Sequence, residues 1–303
     1  MGIIEAEGLS KRYGNTLAVD HLDLDIAAGE VYGFLGPNGA GKTTTIRLLL
    51  GIHRATEGTV RVAGIDAWSD PVAAHRHTAY VASEPTLWPA LTGAETLAYF
   101  ANLRGGCDLA YRDQLIERFD FDADKKVRAL SKGNRQKIQL IATFATRAEI
   151  LILDEPTSGL DPLMEAAFRV TVTEARERGQ TIFLSSHILS EVELLCDRIG
   201  ILSKGRLIDE GTLADMRHLS ARAVQVTFTE SKVDTGALTK LDGISVVSTS
   251  DHDLELEVRG EMGPLLAELA RLPVKTLDSR EPSLEELFVV HYRRDGTTHS
   301  ASD

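Results

Sequence analysis

GPNGAGKT, from Gly36 to Thr43, fits the pattern G-x-x-x-x-G-K-[ST] and sits between two informative neighbours. The apolar segment VYGFL precedes it, and the helical run TTIRLLLGI follows. Strand, glycine-rich loop and helix in that order form a cradle for phosphate groups. Gly36, Gly39 and Gly41 let the backbone turn its N–H groups inward, and the helix N-terminus adds partial positive charge. Lys42 is placed to reach the β- and γ-phosphates of a nucleoside triphosphate, and the Thr43 hydroxyl to bind Mg²⁺. The candidate nucleotide-binding set in this loop is Gly36, Asn38, Gly39, Ala40, Gly41, Lys42, Thr43 and Thr44. With Gly near ~7% usage, the four fixed positions arise by chance in roughly one chain of this length in a hundred.

Working outward, ILILDEPTSGLD places Asp154 and Glu155 at the end of an apolar strand. Strand C-termini gather at the ligand edge of a parallel sheet. Alone, such a strand end reads as two solvated acids. Beside a phosphate loop, Asp154 reads as a Mg²⁺ holder and Glu155 as a carboxylate that takes a proton from attacking water. The segment EAAFRVTVTEARERG carries helical spacing and ends at Gly179, and TIFLSS after it reads as a second buried strand. Strand, helix, strand predicts a parallel sheet with crossover helices. The N-terminal stretch instead alternates at Leu22, Leu24 and Ile26, which predicts antiparallel strands.

The chain has 303 residues, enough for about two domains. Lys plus Arg is 33 and Asp plus Glu is 45, a formal net charge of −12. That balance argues against a nucleic-acid partner, which calls for a surplus of cations. Cys107 and Cys196 lie in no metal-ligand spacing and read as free thiols of a reducing compartment. The N-terminus carries no apolar core of secretion-signal length, and no run approaches the ~18 apolar residues that span a bilayer. The expectation is a protein soluble by itself, with any membrane part supplied by a partner.

From near Ser220 the texture changes. AVQVTFT alternates with period two, ALTKL is a short helix candidate, and ISVVSTS and LELEV read as strands joined by SDHD. GPLLAELARL reads as a helix opened by Pro264, and VKTLDS as a further strand. This order predicts a small α+β, ferredoxin-like domain over residues 219–294 after a first domain of 1–218. SLEELFVVHYRR reads as a closing helix capped by Ser283, and residues 295–303 as a disordered tail.

These residues resemble the nucleotide-binding subunit of the ATP-binding cassette (ABC) transporter superfamily. The resemblance covers about residues 3 to 215. LSKGNRQ, Leu130 to Gln136, is similar to the family's LSGGQ signature, and SGLD, Ser158 to Asp161, to its D-loop. His187 in FLSSHILSE resembles the switch histidine, and Tyr13 in KRYG falls where the family stacks an aromatic ring on adenine. The fold implied is an α/β P-loop NTPase cassette with a mixed sheet, antiparallel N-terminal strands and a helical signature subdomain. The resemblance implies a head-to-tail dimer that sandwiches two ATP molecules with Mg²⁺ between the phosphate loop of one copy and Ser131 and Gly133 of the other. Glu155, His187 and Lys42 are then catalytic, Asp161 communicates across the interface, and Thr43, Asp154 and Ser83 attend the metal. It further implies a separate membrane permease, bound at the inner face of the cell membrane, and a C-terminal domain that stabilises the dimer or regulates it. That small domain is similar to the appendage of bacterial drug, antibiotic and lipid exporter ATPases.

Two departures stand out. Lys132 and Asn134 replace the commoner Gly and Gln of the signature, while Ser131 and Gly133 are kept. Ser83 stands where the family usually has Gln, so a water fills the gap, Glu84 substitutes, or hydrolysis slows. After it, Leu87, Trp88, Pro89 and Leu91 form an apolar cluster in the region that faces the permease in the family. Alternatives left open are an ABC-type ATPase on ribosomes or DNA, a small-molecule phosphotransferase, and a slow nucleotide-regulated subunit.

Overall fold

A computed structural model describes residues 2–218, 222–231 and 233–280. The chain divides into two compact units, Met1–Glu210 and Gly211–Asp303. The closing helix expected at 283–294 and the tail after it lie outside the described residues.

In the first unit, β1 (Ile4–Tyr13) and β2 (Thr16–Ile26) pair antiparallel, as their alternation requires. β3 (Val31–Leu35) is buried at every residue and leads into the phosphate loop and α1 (Lys42–Leu49). β4 (Glu57–Val62) and β5 (Ile65–Asp66) complete a sheet of order β2-β1-β4-β5. α2 (Pro71–His77) then leads into β6 (Thr78–Val81).

The helices α3 (Gly93–Leu103), α4 (Leu109–Arg118) and α5 (Lys132–Ala145) come before β7 (Ile150–Asp154), which pairs parallel with β6. The whole helical insert is thus one long crossover, a parallel pair being unable to close through a tight turn. α3 opens with a reciprocal capping box, Thr92 with Glu95. α6 (Pro162–Glu177) returns the chain to β8 (Thr181–Ser186), passing through Gly179 at φ 81°. α7 (Leu189–Leu195), β9 (Arg198–Ser203) and β10 (Arg206–Thr212) follow. The second sheet has the order β10-β9-β3-β8-β7-β6. β3 is parallel to β8 and β9, and β7 to β8.

One core joins the two sheets through α1. Ile4, Leu9, Leu22 and Ile26 of the antiparallel sheet meet Ile46 and Leu49 of α1 and Phe34, Ile152 and Phe183 of the parallel one. Phe34 and Phe183 pack with ring centroids 5.2 Å apart. A sheet buried on both faces holds its strand ends rigidly, and the ends of β3, β7 and β8 carry the functional loops.

In the second unit, α8 (Leu213–His218) precedes β11 (Arg222–Phe228), β12 (Ile244–Thr249), β13 (Asp253–Val258), α9 (Gly263–Leu269) and β14 (Val274–Arg280). The order β12-β13-β11-β14, antiparallel at every pair, is that of a ferredoxin-like split βαβ sheet. Val224, Val226, Leu254 and Leu256 bury one face with Leu265 and Leu269 of α9. ALTKL, expected as a helix, forms only a 3₁₀ turn at Leu238–Lys240. So short a segment cannot recover the cost of nucleating an α-helix.

Candidate functional site

The site begins with the loop between β3 and α1. Gly41 has φ 114°, and a Cβ there would lie 2.5 Å from the Ala18 carbonyl oxygen. Only glycine brings the loop that close to β2 while the backbone turns into the helix. The Lys42 side chain is buried and folds back over the loop, its Nζ donating to the Gly36 carbonyl at 2.6 Å and to that of Pro37 at 3.3 Å.

Across the sheet, β7 ends at Asp154, which is fully buried. Its two oxygens each accept one hydroxyl. Thr43 Oγ1 donates to Oδ2 at 3.0 Å, and Ser185 Oγ to Oδ1 at 2.6 Å. Parallel register sets this up, since Asp154 and Ser185 are partners on β7 and β8. A buried carboxylate beside a threonine hydroxyl, with no softer donor, is the donor chemistry of Mg²⁺. The chemistry of Thr43 and Asp154 therefore fits such an ion.

Glu155 leaves the strand in the left-handed region, at φ 48°. Its N–H donates to the Ser185 carbonyl at 3.1 Å, which fixes the turn. The carboxylate lies between two cations or potential cations: Lys42 Nζ is 3.4 Å from Oε1, and His187 Nδ1 is 3.4 Å from Oε2. Backbone strain held by surrounding structure at such a point is a feature of reactive sites.

A cavity of about 360 Å³ opens over these groups, lined by Thr43, Arg47, Ser83, Glu84, Lys132 and Glu155 among others. Tyr80 also lines it, and its phenol is pushed up to about 12, first by burial and then by the charge of Asp154. A second cavity, of about 370 Å³, shares Tyr80, Ala82 and Glu84 with the first and runs out to Phe100, Leu103 and Gln139. Trp88 is 46% exposed, its ring centroid 4.5 Å from that of Tyr99 and 6.2 Å from that of Phe100, which lines this cavity.

Lys42, Thr43, Asp154, Glu155 and His187 thus meet, and Ser83 joins them along the cavity wall. The other expected residues make their contacts elsewhere. Ser131 caps α5, accepting from the Asn134 N–H at 3.2 Å. Asp161 caps α6, accepting from Leu163 and Met164 at 3.0 Å each. Gly133 packs against the D-loop of its own chain, where a Cβ would come 2.3 Å from the Gly159 carbonyl oxygen. Lys132, unusual for the signature, donates to Ser158 Oγ at 2.9 Å. Tyr13 is exposed at the end of β1, with its hydroxyl on His53 Nδ1 and Lys11 Nζ 4.9 Å from its ring centroid.

Sequence reasoning missed Ser185, Gln136 and Glu191. Gln136 is fully buried and donates to the Pro156 carbonyl at 3.1 Å, tying the signature helix to the loop after Glu155. Glu191 is buried on α7 and accepts from Ser186 Oγ at 2.8 Å, with Oε1 left without a partner. Burial raises its carboxyl above the usual range. For Ser185 the sequence offers only a partial signal, two serines ending the buried strand β8; its register with β7 is what sets Ser185 opposite Asp154.

Comparison with known proteins decides the family. The family described as ABC transporter matches residues 19–158. The daunorubicin/doxorubicin resistance ATP-binding protein DrrA of Streptomyces peucetius is 33% identical, over 99% of this chain and 96% of its own length. The chain belongs to the ABC transporter family. The bacitracin transport ATP-binding protein BcrA of Enterococcus faecalis is 30% identical, over 94% of this chain and 95% of its own. A solved ATP-binding subunit of an ABC transporter is 31% identical and superposes with a TM-score of 0.66, over 71% of this chain and 92% of that one. A dimeric ATP-binding cassette with ADP and phosphate, 22% identical, matches in fold with a TM-score of 0.61 over 69% of this chain and 98% of its own. This ABC-family chain is an ATPase whose hydrolysis is coupled to transport. Among its described residues no helix is long and apolar enough to cross a membrane.

Proposed function

We propose that the chain is the motor subunit of an exporter, closing as a pair around two ATP molecules and reopening when they are hydrolysed. The observation that carries this reading is Glu155, held between Lys42 and His187 at 3.4 Å from each. The loop amides and Lys42 bind and orient the β- and γ-phosphates. Glu155 accepts a proton from the water that attacks the γ-phosphorus as the bond to the β–γ bridging oxygen breaks, giving ADP and phosphate. His187 keeps that carboxylate and the water in place. Thr43 and Asp154, with Ser83 nearby, would hold Mg²⁺, which when bound would supply neutralising charge to the phosphates. Phosphoryl transfer needs little covalent chemistry from the protein, so positioning carries most of the rate.

The same reading gives Ser131 and Gly133 to the γ-phosphate of a partner copy, Asp161 to communication between the two sites, and Tyr13 to the adenine. The second cavity shares Glu84 with the nucleotide cavity, and exposed Trp88 packs near Phe100 of its wall; this supports a permease helix docked there, with the exporter assignment supported by the resistance and antibiotic-transport relatives. The small C-terminal unit is assigned to stabilising the dimer, and the whole to the inner membrane face. Ser83 in place of a longer amide favours, as a second reading, a slow nucleotide-regulated subunit.

Glu155→Gln tests the proposal. The variant binds ATP, accumulates as a dimer in size-exclusion chromatography, and hydrolyses about 10²–10⁴-fold more slowly, the worth of a general base. Lys42→Ala loses nucleotide binding. Normal turnover by Glu155→Gln overturns the assigned base, and a wild-type rate that is slow even with the permease present decides for the second reading.

A further inference from the structure

Tyr13 is more constrained than an exposed aromatic needs to be. It is 41% exposed, yet its hydroxyl and one ring face are both occupied. The hydroxyl is hydrogen-bonded to Nδ1 of His53, from the segment between α1 and β4, and the two rings meet edge-on with centroids 5.7 Å apart at 74°. Lys11, two residues earlier on β1, lies over the Tyr13 ring at 4.9 Å. That ammonium is itself anchored, donating to the Arg54 carbonyl at 2.7 Å, next to His53. The following backbone is tied to the same segment, because the Arg12 N–H donates to Thr56 Oγ1 at 3.0 Å. Three contacts therefore bind the end of β1 to residues 53–56 and leave one face of the tyrosine ring open.

We infer that His53 is a positioning residue for the nucleobase, setting the angle of the Tyr13 ring so that its open face takes a purine opposite Lys11. This deepens the proposed function and rests on the assignment of Tyr13 to the base. Stacking depends on the plane of the ring, and a free tyrosine at an exposed strand end samples several planes. The hydroxyl lies on the ring axis, so its bond fixes the direction of that axis, while the edge-on His53 ring and Lys11 over one face restrict rotation about it. His53 suits the task because it stays neutral near pH 7: burial first, then Arg47 and Lys11, hold it below the usual histidine value. Nδ1 is then an acceptor for the phenol. Lys11 adds a second, independent function, a cation on the far face that draws electron density from the ring and strengthens stacking with an electron-rich purine.

The test compares ATP with inorganic tripolyphosphate on the full chain, measured by equilibrium binding. Tyr13→Ala weakens ATP at least fivefold, as loss of a stacked base requires, and leaves tripolyphosphate unchanged. His53→Ala weakens ATP about threefold to tenfold, the worth of one hydrogen bond, and again leaves tripolyphosphate unchanged. His53→Asn, whose side-chain oxygen replaces Nδ1, restores affinity to within about twofold of the parent. In a Tyr13→Phe background, His53→Ala adds no further loss, because the bond is already gone. The rate at saturating ATP stays constant in every His53 variant, so the effect is confined to KM. If Tyr13→Ala weakens ATP but His53→Ala does not, the positioning role is wrong and the base site stands. Equal loss of tripolyphosphate binding in His53→Ala marks a merely structural role and also overturns it. If Tyr13→Ala leaves ATP affinity intact, the assignment of Tyr13 fails and the inference falls with it.

Discussion

Ser185→Ala isolates the least visible support of the site. Ser185 is fully buried and its hydroxyl donates at 2.6 Å to Asp154, which is also fully buried. Removing it leaves one oxygen of a buried carboxylate with no hydroxyl donor, while Thr43 still serves the other. A hydrogen bond to a charged group is worth about 1.5–3 kcal/mol, so chemical denaturation should show a loss of that order. The Glu155 N–H loses its 3.2 Å contact with the Ser185 hydroxyl but keeps its 3.1 Å bond to the Ser185 carbonyl, which still holds the turn. The Mg²⁺ dependence, rather than the maximal rate, therefore reads the orientation of Asp154. Outer partners of metal ligands typically matter by about 10–100-fold in metal affinity. The assay is ATP hydrolysis titrated with Mg²⁺. The half-saturating Mg²⁺ concentration rises by about that factor, with metal-free ATP affinity unchanged. A Mg²⁺ titration superimposable on that of the parent, in a variant destabilised as expected, would refute the role of Ser185 in presenting Asp154. If stability is unchanged too, the buried bond itself is wrong.

Glu191→Gln gives a pH-dependent result. Burial raises the folded carboxyl above its unfolded value of 4.5, so between those two values the folded state retains a proton that the unfolded chain has lost. Parent stability therefore declines through this group as pH rises above 4.5, and the Gln variant lacks that decline. Relative to the parent, the variant gains stability as pH rises above 4.5, until the folded carboxyl has also ionised, in urea unfolding; a difference flat with pH from 4.5 upward sinks the prediction. Trp88→Ala keeps ATP binding but co-purifies less with the permease, and equal recovery of the two proteins would count against the docking surface.

Much of the fold could be read from the sequence because burial wrote it plainly. β3 is an apolar run, β7 is one up to Asp154 and β8 is one at Ile182–Leu184, and the continuous burial of all three strands is what a sheet covered on both faces demands. The antiparallel strands showed themselves by alternation at Leu22, Leu24 and Ile26, all buried. The ferredoxin-like order of the second unit followed from strand count and connection length alone. What failed was ALTKL, where residue preference pointed to a helix but length allowed one turn.

The site was legible to a different depth. Residues whose function is set by a local backbone pattern, Gly41, Lys42 and Thr43, appear in the sequence as one unbroken motif. Residues whose function depends on strand register do not. Ser185 lies 31 positions from Asp154 along the chain, and only the parallel pairing of β7 with β8 makes them partners. Gly133 carries a sharper lesson. Its motif points to close approach of a phosphate from another copy, yet the Gly159 carbonyl of its own chain already forbids a side chain there. The two demands are compatible and reinforce each other. Tight packing of the signature helix on the D-loop, with Gln136 bonded to Pro156 and Lys132 to Ser158, joins that helix to the loop that carries this chain's own Glu155. In the proposed dimer, where that helix would face a partner's nucleotide, these side-chain contacts would pass a motion at either site to the other without an additional wire.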